Sequence, residues 1–261
     1  MEDRLESLWP PKRSVLGINI SATSYDRALV SVINSVKKNE RASISHLAVH
    51  GIVEGVKDVR FKSMLNEFEI LAPDGQPVRY ALKLLWKIKL QDRCYGPEFM
   101  MRVCQAATEE KIGIYLYGST LDVVQSLNNR LRALYPALQV VGWEPSLFRP
   151  LIEAEDHALV NRINESGAGI VFIGLGCPLQ EEFSYLHKDK IRAVQICVGA
   201  AFDFHSGNKR MAPSWMQRNS LEWFFRLTQE PRRLWRRYLI TNTIFMVNLT
   251  LQFFKLKRFD K

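Results

Sequence analysis

The chain is predicted to be an α/β protein: a mostly parallel sheet with helices on both faces, followed by a basic helical appendage at the C-terminus. Three observations predict this. Apolar strand-like runs alternate with amphipathic helical stretches, the pattern of strands that are covered on both faces. At 261 residues, with 47% apolar and 24% charged residues, the chain is long enough to bury a large core and too apolar to stay disordered. The positive charge is also unevenly placed. Of a net +9, residues 210–261 carry eleven Lys/Arg against three Asp/Glu, a net of +8. The expected division is therefore a catalytic unit over 1–207 and a basic amphipathic appendage over 208–261.

In chain order, SVLGINI (14–20) reads as a first short strand. Ala28, Leu29, Val32, Ile33 and Val36 then recur at helical spacing between Ser24 and Lys38. ISHLAV reads as a strand, 51–66 as a helix, and EILAPDG as a strand that closes on an Asp-Gly turn. Residues 78–90 read as a helix, and Pro97 opens another that runs to about Glu110. From there the alternation is regular. IGIYLYGS is a strand, 121–135 a helix, LQVVGW a strand, 153–165 a helix, GIVFIGLG a strand, 180–187 a helix and AVQICVGAAFDF a strand. In the appendage, SLEWFFRLTQEPRRLWRRYL mixes aromatics with arginines. The apolar run 238–254 that follows carries Thr, Asn and Gln, which argues against a membrane span.

Several function classes are disfavoured. Cys94, Cys104, Cys177 and Cys197 form no CxxC pair and read as reduced, buried thiols. Residues 1–9 are polar and acidic and lack a signal-peptide core, so a cytoplasmic location is expected. The five histidines form no HExxH pattern, and neither a metal nor a cofactor is expected. Charge alone would suit nucleic acid, but no nucleic-acid motif accompanies it, so none is expected as a partner.

Ligands of parallel sheets bind at the carboxyl ends of the strands, which makes the residues after each strand informative. Asp74 follows a strand in Pro73-Asp74-Gly75; it suits a general base and equally a turn that caps its own backbone. Gly174 and Gly176, with Cys177, Pro178, Leu179, Gln180 and Glu181, form either a tight strand-to-helix turn or a phosphate cradle; the pattern is neither GxGxxG nor a P-loop. Gly118 and Ser119 sit after another strand, where a hydroxyl caps a helix or bonds a phosphate. Gly199, Phe202 and Asp203 follow the last strand, where Phe202 suits stacking on a base or sugar, or core packing. If 226–237 were one helix, Arg226, Arg233 and Arg237 would share a face with Arg232 and Arg236 beside it. Interleaved with Trp223, Phe224, Phe225, Trp235 and Tyr238, these arginines suit an anionic membrane surface.

Taken together, these segments resemble the WecG/TagA/CpsF glycosyltransferases, glycosyltransferase family 26. The resemblance rests on Ala72-Pro73-Asp74-Gly75, Arg93 with Tyr95-Gly96-Pro97, the stretch Gly174 to Glu181, Val198 to Asp203, Ala212-Pro213 with Trp215, Leu221-Glu222-Trp223 with Arg226-Leu227, Glu230-Pro231-Arg232-Arg233, and Arg237-Tyr238. These occur in family order over roughly 14–246.

The resemblance implies a Rossmann-like core and an inverting, metal-independent transfer. The sugar would pass from a UDP-sugar to a polyprenyl-diphosphate-linked acceptor in cell-surface or exopolysaccharide synthesis, at the inner face of the membrane. It further implies Asp74 as base and Arg226, Arg233 and Arg236 as appendage arginines that complete the site. The chain departs from the family at Leu179, where Lys is common, and at Met211, where Arg is common, with Lys209 and Arg210 adjacent. The family's Thr-x-Asn-x-Glu-like segment is replaced near His46 to His50. These departures motivate an alternative: a catalytically silent nucleotide-binding scaffold of a polysaccharide assembly complex.

Overall fold

The computed structural model describes residues 8–218 and 221–259, with the backbone alone at Ser214, Arg218, Arg233 and Arg237. Six strands form one parallel sheet: β3 (Ala42–Leu47), β4 (Ile70–Pro73), β5 (Ile114–Gly118), β6 (Val140–Glu144), β7 (Ile170–Gly174) and β8 (Val194–Cys197), in the order β4-β3-β8-β7-β5-β6. The chain builds outward from β3 to β4, crosses over, builds outward the other way from β5 to β6, and returns to place β7 and β8 between them. Such a reversal opens a crevice above the strand ends.

The period-2 alternation of the strands gives the sheet two apolar faces. Ile114, Leu116, Ile170, Phe172 and Ile196 pack with helices α1 (Tyr25–Lys37), α5 (Gly96–Glu109), α6 (Leu121–Leu134) and α9 (Ala201–Ser206). Tyr115, Tyr117, Val171, Ile173 and Cys197 face the other way. They pack with α2 (Val49–Lys57), α3 (Val59–Asn66), α4 (Gln76–Trp86), α7 (Glu153–Glu165) and α8 (Leu179–Leu186). Strands β3, β4, β5, β7 and β8 are thus covered on both faces, as the unbroken apolar runs predict, while the edge strand β6 leaves Val141 exposed.

Four local expectations need correction. The run 14–20 is a hairpin of β1 (Lys12–Val15) and β2 (Ile18–Ser21), antiparallel and separate from the main sheet. Its turn is Leu16-Gly17, both at positive φ, and a Cβ on Gly17 would strike the Phe259 carbonyl oxygen at 2.2 Å. The stretch 51–66 is two helices, because Asp58 ends α2 and its carboxylate accepts from the Arg60 and Phe61 amides to cap α3. The helix expected over 78–90 stops at Trp86, where Lys87 is left-handed. The last strand ends at Cys197, and Ala201–Ser206 is helical.

The C-terminal segment contains α10 (Ser214–Arg218), α11 (Glu222–Gln229) and α12 (Pro231–Phe253). Pro231 cannot continue a helix through its missing N–H but suits a first turn, so α11 and α12 are separate. The single arginine face expected across 226–237 is therefore not formed: Arg226 lies on α11 and Arg232 to Arg237 on α12. Helix α12 lies along α2 and α4, and Phe245, Leu249 and Phe259 join the buried cluster on that face. No described helix is long and apolar enough to cross a membrane.

Candidate active site

Two cavities open at the carboxyl edge of the sheet. The smaller, about 330 Å³, lies between the start of α4 and the helices α11 and α12, and is lined mainly by apolar atoms of Val49, Pro77, Trp223, Leu234 and Tyr238. The larger, about 800 Å³, lies above the loops that follow β8, β7 and β5. They share three residues: Asp74, Tyr95 and Arg226.

Asp74 is held there by the end of β4. Its amide donates to the Leu47 carbonyl at 3.2 Å, and Gly75 takes φ +88 to start α4. The Asp74 carboxylate does not cap that helix. The Gly96 amide at the N-terminus of α5 favours the charged form of this carboxylate, as does the helix dipole there. Burial nevertheless raises its pKa, opposed by Arg93 and Arg226 and helped by the nearby Glu222 charge, to a net of about 6. A carboxylate tuned close to neutral pH, at the junction of two cavities, suits general-base work.

Arg93 and Glu222 brace this junction. Their side chains are only 12% and 8% exposed, and the Arg93 guanidinium donates to Glu222 Oε2. Burial raises the Tyr95 hydroxyl pKa and the nearby Glu222 charge adds to it, and the Arg93 guanidinium lies 4.2 Å from the Tyr95 ring centroid. The Tyr95 amide donates to the Tyr25 hydroxyl at 2.9 Å. Helix α11 is thereby pinned beside Asp74, which brings Arg226 over the Phe204 ring and into both cavities.

The larger cavity gathers most of the remaining expected residues: Ser119, Gly174, Gly176, Pro178, Gln180, Gly199 and Asp203. The glycines serve two purposes. Gly118 is buried, at φ +124, and a Cβ there would lie 2.7 Å from the Gly174 backbone, so it permits loop packing and does not face the cavity. Gly176, at φ +80, has open space where a Cβ would point. Gln180 donates to Glu181 at 2.8 Å, and Glu181 also accepts from Ser45 at 2.7 Å. Glu181 is fully buried and supports the loop from beneath.

Three expected residues behave differently. Phe202 is fully buried with its ring against Gly174, so it packs the core and cannot stack on a ligand; the aromatic ring in the cavity is Phe204. Arg236 is exposed on α12 and lines neither cavity, because the α11–α12 break turns it away. The side chain of Arg233 lies outside the described residues. Lys209 and Arg210 do line the larger cavity, and Lys209 bridges Asp203 at 3.7 Å and Glu230 at 3.1 Å. Among the described residues, no three of His, Cys, Asp or Glu converge as metal ligands would.

Residues 13–259 match the model of the glycosyl transferase WecG/TagA/CpsF family. The chain belongs to this family. Among relatives of this glycosyltransferase is the N-acetylglucosaminyldiphosphoundecaprenol N-acetyl-beta-D-mannosaminyltransferase of Bacillus subtilis (strain 168), 33% identical over 186 residues, 70% of each chain. The protein of the same name from Bacillus spizizenii (strain ATCC 23059 / NRRL B-14472 / W23) is 30% identical over 187 residues, 71% of this chain and 70% of the relative. The family match covers both the parallel-sheet core and helix α11, which carries Glu222 and Arg226. Sequence reasoning had placed Arg93, Tyr95 and Glu222 within family motifs without giving them a place in the site. Arg93 and Glu222 are 129 positions apart, and no spacing rule pairs them.

Proposed function

We propose that this glycosyltransferase moves an N-acetylhexosaminyl residue, N-acetylmannosamine foremost, from a UDP-sugar to an N-acetylglucosaminyl diphosphopolyprenol. The transfer would serve cell-surface or exopolysaccharide synthesis at the inner face of the membrane, with inversion and without a metal. The observation that carries this reading is the single carboxylate, Asp74, where the polar donor-sized cavity meets the smaller apolar one.

In this reading the UDP-sugar occupies the larger cavity. Its diphosphate lies by Gly176 and the N-terminus of α8, with Lys209, Arg210 and Arg226 supplying positive charge. The acceptor sugar enters from the smaller cavity. Asp74 takes the proton of the acceptor hydroxyl as its oxygen bonds to the anomeric carbon, and UDP leaves with the electron pair of the breaking C–O bond. The transition state has oxocarbenium character, and cationic side chains at the leaving diphosphate lower its energy. Cations in those positions would meet the diphosphate charge in a transfer without a metal.

Residues 208–261 then dock the enzyme on anionic lipid and complete the site. Trp223, Phe224, Trp235, Leu239 and Phe254 are exposed, beside exposed Arg232, Arg236 and Lys255. Aromatic and basic side chains in such a mixture favour the lipid interface. Arg233 is proposed to meet phosphate charge together with Arg226. The reading is tested by mixing the full chain with UDP-N-acetylmannosamine and N-acetylglucosaminyl diphosphopolyprenol in anionic vesicles. UDP is expected to be released only when both substrates are present. Release that ignores the acceptor, or none at all, would refute the reading, and the second result would favour a silent scaffold.

A further inference from the structure

The strand order fixes what lies between the base and the glycine loops. Across the carboxyl edge the residues follow as Asp74 after β4, His46 near the end of β3, Gly199 after β8, Gly174 to Gly176 after β7, and Ser119 after β5. A donor with its diphosphate over the β7 loop and its anomeric carbon close to Asp74 must lay its sugar across the end of β3. His46 lines the larger cavity at that place.

The imidazole is held rigidly. Its ring packs on Phe99 with centroids 4.9 Å apart and lies beside Gly96 at the start of α5. Nδ1 is 3.3 Å from the Cys197 carbonyl oxygen. A carbonyl only accepts, so the proton of the neutral ring resides on Nδ1 and Nε2 carries the lone pair. Burial lowers the imidazole pKa to about 4, which keeps the ring neutral at pH 7. Nε2 is buried and, among the described residues, has no hydrogen-bond partner. A buried acceptor without a partner is costly in a native fold and calls for an explanation.

We propose that His46 is a specificity-determining residue, whose Nε2 accepts a hydrogen bond from a hydroxyl or amide N–H of the transferred sugar. This rests on the donor assignment made above. It assigns to His46 no part in the proton transfer, which belongs to Asp74. Because Nε2 only accepts, it distinguishes a sugar that offers a donor at that position from one that offers an acceptor or a bare carbon.

The test compares UDP with UDP-N-acetylmannosamine as titrants of the full chain, by calorimetry, in the unaltered protein and in His46→Phe and His46→Gln. Phe keeps a ring against Phe99 and removes the acceptor. Gln keeps a polar atom near the place of Nε2. His46→Phe is expected to weaken binding of the UDP-sugar about tenfold, the scale of one neutral hydrogen bond, and to leave UDP binding unchanged. His46→Gln is expected to recover most of the loss. Equal weakening toward UDP and the UDP-sugar, or no weakening toward either, would overturn the proposal, and so would a Gln variant as weak as Phe while melting at the unaltered temperature. Failure of the unaltered chain to bind UDP at all would instead remove the donor assignment, and this inference with it.

Discussion

Asp74→Asn is expected to lower kcat/KM by about 10²–10⁴-fold, the range that a positioned general base supplies. The variant is also expected to be more stable than the parent at pH 7. The folded-state pKa of about 6 lies above the 3.8 of an unperturbed aspartate. The native state therefore holds the proton more tightly than the unfolded state between those values, and the carboxylate's contribution to stability falls as pH rises through them. At neutral pH the charged, poorly hydrated carboxylate costs about 1–3 kcal/mol, a penalty that Asn avoids. Denaturant melts at pH 7 and pH 4 check this: the gain in stability should be present at pH 7 and small by pH 4. In the parent, kcat/KM should fall about tenfold per pH unit below the acid limb near pH 6. Full activity in Asp74→Asn, or a profile flat through pH 6, would remove Asp74 from the proton transfer.

The second large effect concerns the brace between the core and α11. Glu222→Ala leaves Arg93 buried without its carboxylate, and removing one partner of a buried pair costs about 3–5 kcal/mol. Arg93→Ala should cost a similar amount, since Glu222 is then the stranded charge. Replacing both, as Arg93→Met with Glu222→Leu, is expected to restore most of the stability, because neither charge remains to be desolvated. Turnover should stay low in the double variant. Without Glu222 the first turn of α11 loses its tie to Arg93, and Arg226 loses a support of its place beside Asp74. Equilibrium unfolding and steady-state kinetics on the three variants separate the two roles. A double variant that recovers both stability and activity would reduce the pair to a structural contact.

The parts of this architecture legible in the sequence are those with local causes. The strands ending at Gly118, Gly174 and Cys197 show as apolar runs because both faces of a parallel sheet are covered, and helix periodicity separates them. Asp74 could be singled out because a polar residue directly after such a strand must lie on the ligand side. The β1–β2 hairpin was hidden because Leu16, in its turn, is fully buried and reads as part of an apolar run. Phe202 was misplaced because an aromatic after a strand has the same local signature whether it faces a cavity or the core; the close approach of Gly174 decides it. The Arg93–Glu222 brace and the seat of His46 depend on tertiary placement alone. One forms only when α11 folds back on the core, and the other needs the order in which β4, β3 and β8 pair.

A one-step displacement is the proposed reaction, with Asp74 at one end of that edge and the glycine loops further along it. Asp74 is the carboxylate shared by both cavities, while Asp203, in the larger cavity, is bridged by Lys209 and accepts from Asn208. In the proposed mechanism one base at the junction would serve direct attack by the acceptor hydroxyl from the face opposite the leaving UDP, which would invert the anomeric centre. The most direct test is NMR of the disaccharide-diphospholipid formed by the full chain from α-linked UDP-N-acetylmannosamine and N-acetylglucosaminyl diphosphopolyprenol. The account predicts a β-linked product whose formation is lost in Asp74→Asn. An α-linked product, or a β-linked one that forms undiminished without the Asp74 carboxylate, would contradict it.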